Sequence, residues 1–187
     1  NDLENVLYTN GIYYRNKFKK AYEKDLYEAV MDWESLRKGK ELNGEQVKRV
    51  ASYMKPDQFS KKRLKEFISD NLYTIGELKL KYGLNTDAVW FESFTAAPEK
   101  QVHYIRKMRK NGEELNQEPR ILLSTIHGVK GGEADNVVLL TDLSKNTQSN
   151  YERYPDDENR LFYVGATRTK NHLHIVRPKD IYKSYRI

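Results

Sequence analysis

RILLSTIHGVKGGEADNVVLLTD, Arg120 to Asp142, sets two short apolar runs, Ile121 to Leu123 and Val137 to Leu140, on either side of a polar loop. Runs of this length suit strands buried on both faces of a parallel sheet, although period alone does not separate them from short buried helices. Loops leaving the ends of such strands are where open α/β sheets hold their ligands. Glycines at positions 128, 131 and 132 let the backbone approach a phosphate or sugar closely. Lys130 adds positive charge, and Glu133 accepts hydrogen bonds from hydroxyls. From residue types alone, a plain glycine-containing crossover with solvated charges stays open as the alternative.

A second stretch, DDENRLFYVGATRTK from Asp156 to Lys170, precedes an alternating strand, His172 to Val176. Thr125-Ile126-His127-Gly128-Val129-Lys130-Gly131-Gly132-Glu133 and Glu158-Asn159-Arg160-Leu161-Phe162-Tyr163-Val164-Gly165-Ala166-Thr167-Arg168 together resemble motifs V and VI of the UvrD-like DNA helicases of superfamily 1. Leu3 to Arg15, LENVLYTNGIYYR, resembles the family's helix and following G-I-P-Y strand, with Tyr13 in place of Pro. The resemblance covers residues 1–38 and 117–178 and is weak between them. Gly132 and Ala134 stand where the family has Leu and Phe, and Thr169 where it has Ala, which points to a divergent, phage-type branch.

The resemblance implies an α/β fold, a RecA-like parallel sheet flanked by helices, with a small all-helical domain inserted. Residues 1–38 and 119–187 would be two segments of the RecA-like domain, and 39–118 the insertion. It implies that Arg168 is the arginine finger reaching ATP, with Arg160 in support. Glu133, beside Gly131, would contact the ATP ribose, and Thr125, His127 and Lys130 would contact single-stranded DNA phosphates. A rigid planar guanidinium suits the γ-phosphate better than a flexible ammonium. Implied partners are single-stranded DNA, a single-strand/duplex junction, and the N-terminal RecA-like domain of the same protein, which would hold most of the ATP and Mg²⁺. Translocation 3′ to 5′ and a cytoplasmic location go with the family. Read without it, Arg168 and Arg160 are equally salt-bridge partners and His127 a loop histidine.

The chain itself has no G-x-x-x-x-G-K-[ST] loop, since Gly39-Lys40 is followed by Glu41, and no apolar strand ending in Asp-Glu to hold Mg²⁺. The fragment is therefore expected to be inactive alone, and its start at Asn1 rather than Met points to a piece of a longer protein. Asp156, Asp157 and Glu158 follow Pro155 and read as the dipole-complementing first turn of a helix, so no metal site is expected. With 187 residues, a proper core is within reach. The absence of cysteine excludes disulfides and thiolate chemistry, and no apolar run approaches a membrane span. A net charge of +6, spread along the chain, is compatible with phosphate binding but not with a polybasic arm as the main attachment.

In chain order, Asp2 caps a helix facing inward with Leu3, Val6 and Leu7, which Asn10-Gly11 stops before a strand at Ile12 to Arg15. From about Lys20 a longer helix sets Tyr22, Leu26, Ala29, Val30, Trp33 and Leu36 on one face. The insertion reads as wholly helical with its own core. Asn43 with Gln46 opens a helix faced by Val47, Val50, Ala51 and Met54, and Ser60 opens one faced by Leu64, Phe67, Ile68 and Leu72. Thr74 with Glu77 opens a third, and Pro98 a last one faced by Val102, Ile105 and Met108. Residues 74–89 also have the look of a helix-turn-helix, its second helix capped by Thr86. A non-catalytic DNA-binding or adaptor module is thus the alternative function. Lys61-Lys62-Arg63-Lys65 and Arg106-Lys107-Arg109-Lys110 read as solvated faces. Trp90, Phe91 and Phe94 read as core, with base stacking as the other option.

Overall fold

Leu26, Ala29, Val30, Trp33 and Leu36 recur at helical spacing, and all five are fully buried on one face of the helix Lys24–Arg37. Each large apolar side chain buried this way contributes roughly 1.5–3 kcal/mol, which makes this helix the spine of the first half of the molecule. The computed structural model describes residues 2–19 and 24–186; Lys20 and Tyr22, expected on the same helix, lie outside them.

The elements run α1 (Asp2–Thr9), β1 (Tyr14–Asn16), α2 (Lys24–Arg37), β2 (Leu42–Asn43), α3 (Gly44–Ser52), β3 (Leu72–Tyr73), α4 (Ile75–Tyr82), α5 (Trp90–Ser93) and α6 (Glu99–Lys110). They continue as β4 (Ile121–Leu123), β5 (Ala134–Leu140), α7 (Lys145–Arg153), α8 (Pro155–Ala166) and β6 (Thr169–Val176). The mixture of helices and short strands, with β5 and β6 paired in parallel, is compatible with an α/β fold. The chain divides into two compact units, residues 1–122 and 123–187.

In the first unit two of the expected helix starts are where their chemistry places them. Asn43 and Gln46 form a reciprocal capping box on α3, and Thr74 and Glu77 another on α4. The core joins Leu26, Val30, Trp33 and Leu36 of α2 to Val47 and Val50 of α3, Phe59, Phe67, Leu78, Phe94, Ile105 and Met108. Residues 24–37 therefore share one core with residues 39–118, rather than leaving the insertion a core of its own. Trp33 also donates its indole N–H to the Ala88 carbonyl at 3.0 Å, tying the spine to the far end of the insertion.

Several expectations for this unit need correction. The insertion is not wholly helical: β2 and β3 form an antiparallel ladder, Leu42 opposite Tyr73 and Asn43 opposite Leu72. The segment after Ser60 is a 3-10 helix, Lys61–Glu66, and Ile68 and Leu72 are exposed. Its run of like charges, relieved only where Arg63 forks onto Glu66, gives little to an α-helix. The second helix of the helix-turn-helix does not form. Asn85 donates its backbone N–H to Gln58 at 2.8 Å, Thr86 accepts from Ala88 instead of capping a helix, and α5 begins only at Trp90 and makes one turn. On α1, Leu7 is buried but Leu3 and Val6 are exposed.

The second unit holds β5 and β6 in register, Val137 with Leu173, Val138 with His174 and Leu140 with Val176, and α8 packs on β5. Its buried cluster is Leu139, Leu143 and Phe162, with Ile126, Tyr151, Ala166 and Tyr185 around it. The expectation of strands buried on both faces is not met: Val138, Leu140, Ile175 and Val176 are exposed. Among the described residues β1 pairs with β4 and β5 with β6, each as a two-stranded sheet. Among the described residues no helix is long and apolar enough to cross a membrane.

Candidate functional site

The loop from Thr125 to Glu133 is folded back on itself by local hydrogen bonds. Thr125 Oγ1 accepts from the Gly128 amide at 3.1 Å, Val129 donates to the Ile126 carbonyl at 3.2 Å, and Gly132 donates to the Val129 carbonyl at 2.9 Å. His127–Val129 is thereby a 3-10 turn, and Gly131 takes φ +83°. The turns leave Thr125, His127, Lys130 and Glu133 exposed, so three groups able to meet phosphate oxygens stand on one short loop.

The second motif is brought to Ile126 at the start of this loop by close packing. Pro155 begins α8 and Phe162 is its buried anchor, stacked on Tyr185 with ring centroids 3.9 Å apart. Gly165 completes the approach. A Cβ there would lie 3.1 Å from Leu139 Cδ1 and 3.2 Å from Ile126 Cδ1, so the missing side chain lets the helix end meet both β5 and the loop. The buried positions are thus Phe162 and Gly165; Leu161 and Val164, expected to bury the face, are only half-buried. Asp156, Asp157 and Glu158 occupy the first turn as expected, where they complement the dipole, but no side chain caps it.

Arg168 lies just past α8, which ends at Ala166 with Thr167 as its cap, rather than on the helix itself. Its Nε donates to the Val164 carbonyl at 2.9 Å, one terminal nitrogen to the Gly132 carbonyl at 3.4 Å and the other to Thr167 Oγ1 at 3.2 Å. The Arg168 carbonyl in turn accepts from the Ala134 amide at 2.9 Å. The two motifs are therefore joined at Gly132, Ala134 and Arg168. Every acceptor of the guanidinium is neutral, and among the described residues no carboxylate pairs with it.

The remaining residues are placed around this junction. Glu133 pairs with Lys170 at 3.4 Å, both well exposed. Arg160 is exposed on α8, two turns before Arg168, with no ion-pair partner among the described residues. Among the described residues no side-chain hydrogen bond or ion pair joins Thr125, His127 or Lys130 to Arg168 or Glu133. Lys170 and Gly165 were not singled out from sequence. An acidic loop end facing a basic strand start was the available signal for the first, and a glycine inside an amphipathic helix for the second. Among the described residues no group of His, Asp or Glu is arranged to hold a metal ion.

The model of the UvrD-like helicase C-terminal domain matches residues 9–179. No curated protein and no solved structure matches the chain. The match spans the helical segment before the two motifs, both motifs and the junction at Arg168. The chain therefore belongs to the UvrD-like helicase C-terminal domain family.

Proposed function

We propose that this chain is the C-terminal part of an ATP-dependent DNA helicase or translocase. ATP is the substrate, held by a phosphate-cradling RecA-like domain of the same protein, and the segment 119–187 belongs to the second RecA-like domain facing it. Arg168 supplies positive charge to the γ-phosphate as charge develops in the transition state, with Arg160 adding to the same field. Glu133 accepts from a ribose hydroxyl, next to a glycine backbone at Gly131 that a sugar approaches closely. Thr125, His127 and Lys130 meet the phosphates of single-stranded DNA, so nucleotide and DNA act on two sides of one loop. Cyclic closure around ATP and opening after hydrolysis step the protein 3′ to 5′ along the strand, in the cytoplasm.

The observation that carries this reading is the guanidinium of Arg168, without an ion-pair partner among the described residues, hydrogen-bonded to neutral acceptors and anchored at the junction of both motifs. The bond to Val164 also caps the last turn of α8, a structural role that activity and stability measured on the same Arg168 variants separate from the proposed one. Among the described residues no group of His, Asp or Glu is arranged to hold a metal ion; the phosphate cradle and its Mg²⁺ are proposed to belong to the N-terminal RecA-like domain of the same protein. Parallel ATPase assays of the purified chain and the full-length protein test this division. The full-length protein should hydrolyse ATP in response to single-stranded DNA and the chain should not, while retaining weak, salt-sensitive DNA binding. Turnover by the chain alone, or a full-length protein indifferent to DNA, overturns the proposal.

A further inference from the structure

Away from that junction, the first unit carries a groove of about 440 Å³ where α5 meets α6. His103, Arg106, Lys107 and Lys110 follow the i, i+3, i+4, i+7 spacing of α6 and line the groove, while Ile105 and Met108 face the core. Arg109 extends the same cationic lining, and Trp90 and Phe91 of α5 complete it; no carboxylate is among the lining residues. Phe91 is exposed, and the Arg106 guanidinium lies 4.1 Å from the centre of its ring. None of Arg106, Lys107, Arg109 and Lys110 is ion-paired among the described residues, although Lys107 Nζ donates to the Thr9 carbonyl at 2.8 Å. Like charges four apart on a helix repel. Arg106 and Lys110 stand so, with no acidic neighbour in the groove to relieve them.

We propose that this groove is a binding site for single-stranded nucleic acid, separate from the loop at Thr125 to Lys130. A base stacks on the guanidinium that Phe91 supports, and flanking phosphates pair with Lys107, Arg109 and Lys110. Stacking on an aromatic ring or guanidinium plane accepts any base, and a row of cations tracks the backbone, which is how strands are held without sequence preference. The volume falls within the range of about 300–1,000 Å³ typical of small-ligand sites. The choice of nucleic acid over another polyanion rests on the helicase reading above; the stacking platform and the cations do not.

The test is fluorescence-anisotropy binding of a labelled oligothymidylate, and of the same oligomer with abasic sites, to the chain and its variants. Phe91→Leu should weaken oligothymidylate binding by about five-fold or more, and Phe91→Tyr should restore it. The abasic oligomer should bind the wild-type chain more weakly by a similar factor and be insensitive to Phe91→Leu. Arg109→Gln and Lys110→Gln should each reduce the salt dependence of log K by about 0.7. Circular dichroism and melting temperature identify any variant that fails to fold, and the abasic comparison on the wild-type chain is free of that problem. Equal binding of the two oligomers, unchanged affinity in the groove variants, or no binding by the wild-type chain overturns the proposal. Loss confined to His127→Ala and Lys130→Ala would sink the groove and leave the helicase reading standing. Loss in the groove variants, beside a full-length protein without DNA-stimulated ATPase, would keep the groove and remove the helicase reading.

Discussion

Arg168 and Glu133 are opposite cases at the same junction. The arginine, half-buried, finds only carbonyls and a hydroxyl, while the carboxylate, exposed, is met by Lys170 at 3.4 Å. An exposed pair of this kind contributes about 0–1 kcal/mol, because solvent screens it and two long side chains must be ordered. Glu133→Ala should therefore shift stability by no more than about 1 kcal/mol in denaturant unfolding. In the full-length protein it should raise the KM for ATP. A larger stability loss with an unchanged KM would make the carboxylate a structural group rather than a ribose contact.

At the scale of elements, the close approach of the N-terminal turn to α6 is set by one residue. Gly11 has φ +66°, and a Cβ there would clash with the Lys107 Cβ and lie 2.6 Å from the Met108 backbone nitrogen. Gly112 has φ +75° with nothing within 4 Å. Gly11→Ala should thus cost about 2–4 kcal/mol from overpacking and backbone strain together, and Gly112→Ala only about 1 kcal/mol. Similar losses in chemical denaturation would show that the approach at Gly11 relaxes freely. The same local chemistry explains what was legible in the sequence. The capping boxes at Asn43 and Thr74 and the buried stripe of α2 depend on neighbours three or four residues apart, and they are where the residue pattern places them. The β2–β3 ladder was not legible, because two-residue strands separated by a long segment carry no period. Nor was the position of Arg168, because the helix stops at Ala166 through Thr167, whose hydroxyl turns back onto the Tyr163 carbonyl at 2.9 Å. The groove was hidden for a further reason: the cations of α6 read as a solvated face until Phe91, twelve or more residues earlier, is set beside them.

At the scale of the whole molecule, two units of unequal cores carry the function. The first has the continuous core built on α2; among the described residues of the second the buried apolar cluster is Leu139, Leu143 and Phe162 with their surround, and apolar strand residues are exposed. Amide exchange should therefore be at least about tenfold faster in β5 and β6 than in α2, as expected where few apolar contacts protect the backbone hydrogen bonds. Equal protection would show that the second unit is more stable than its burial implies. The central claim concerns what that unit gives to ATP. DNA-stimulated ATPase and melting temperature, measured together on full-length Arg168→Ala and Arg168→Lys, test it most directly. Both variants should lose turnover by about 10³-fold, on the order of 4 kcal/mol of barrier, because an ammonium does not reproduce the planar fork. ATP binding should be nearly unchanged and the melting temperature lowered only modestly, by loss of the bonds to Val164, Gly132 and Thr167, and undiminished turnover in Arg168→Ala would contradict the account.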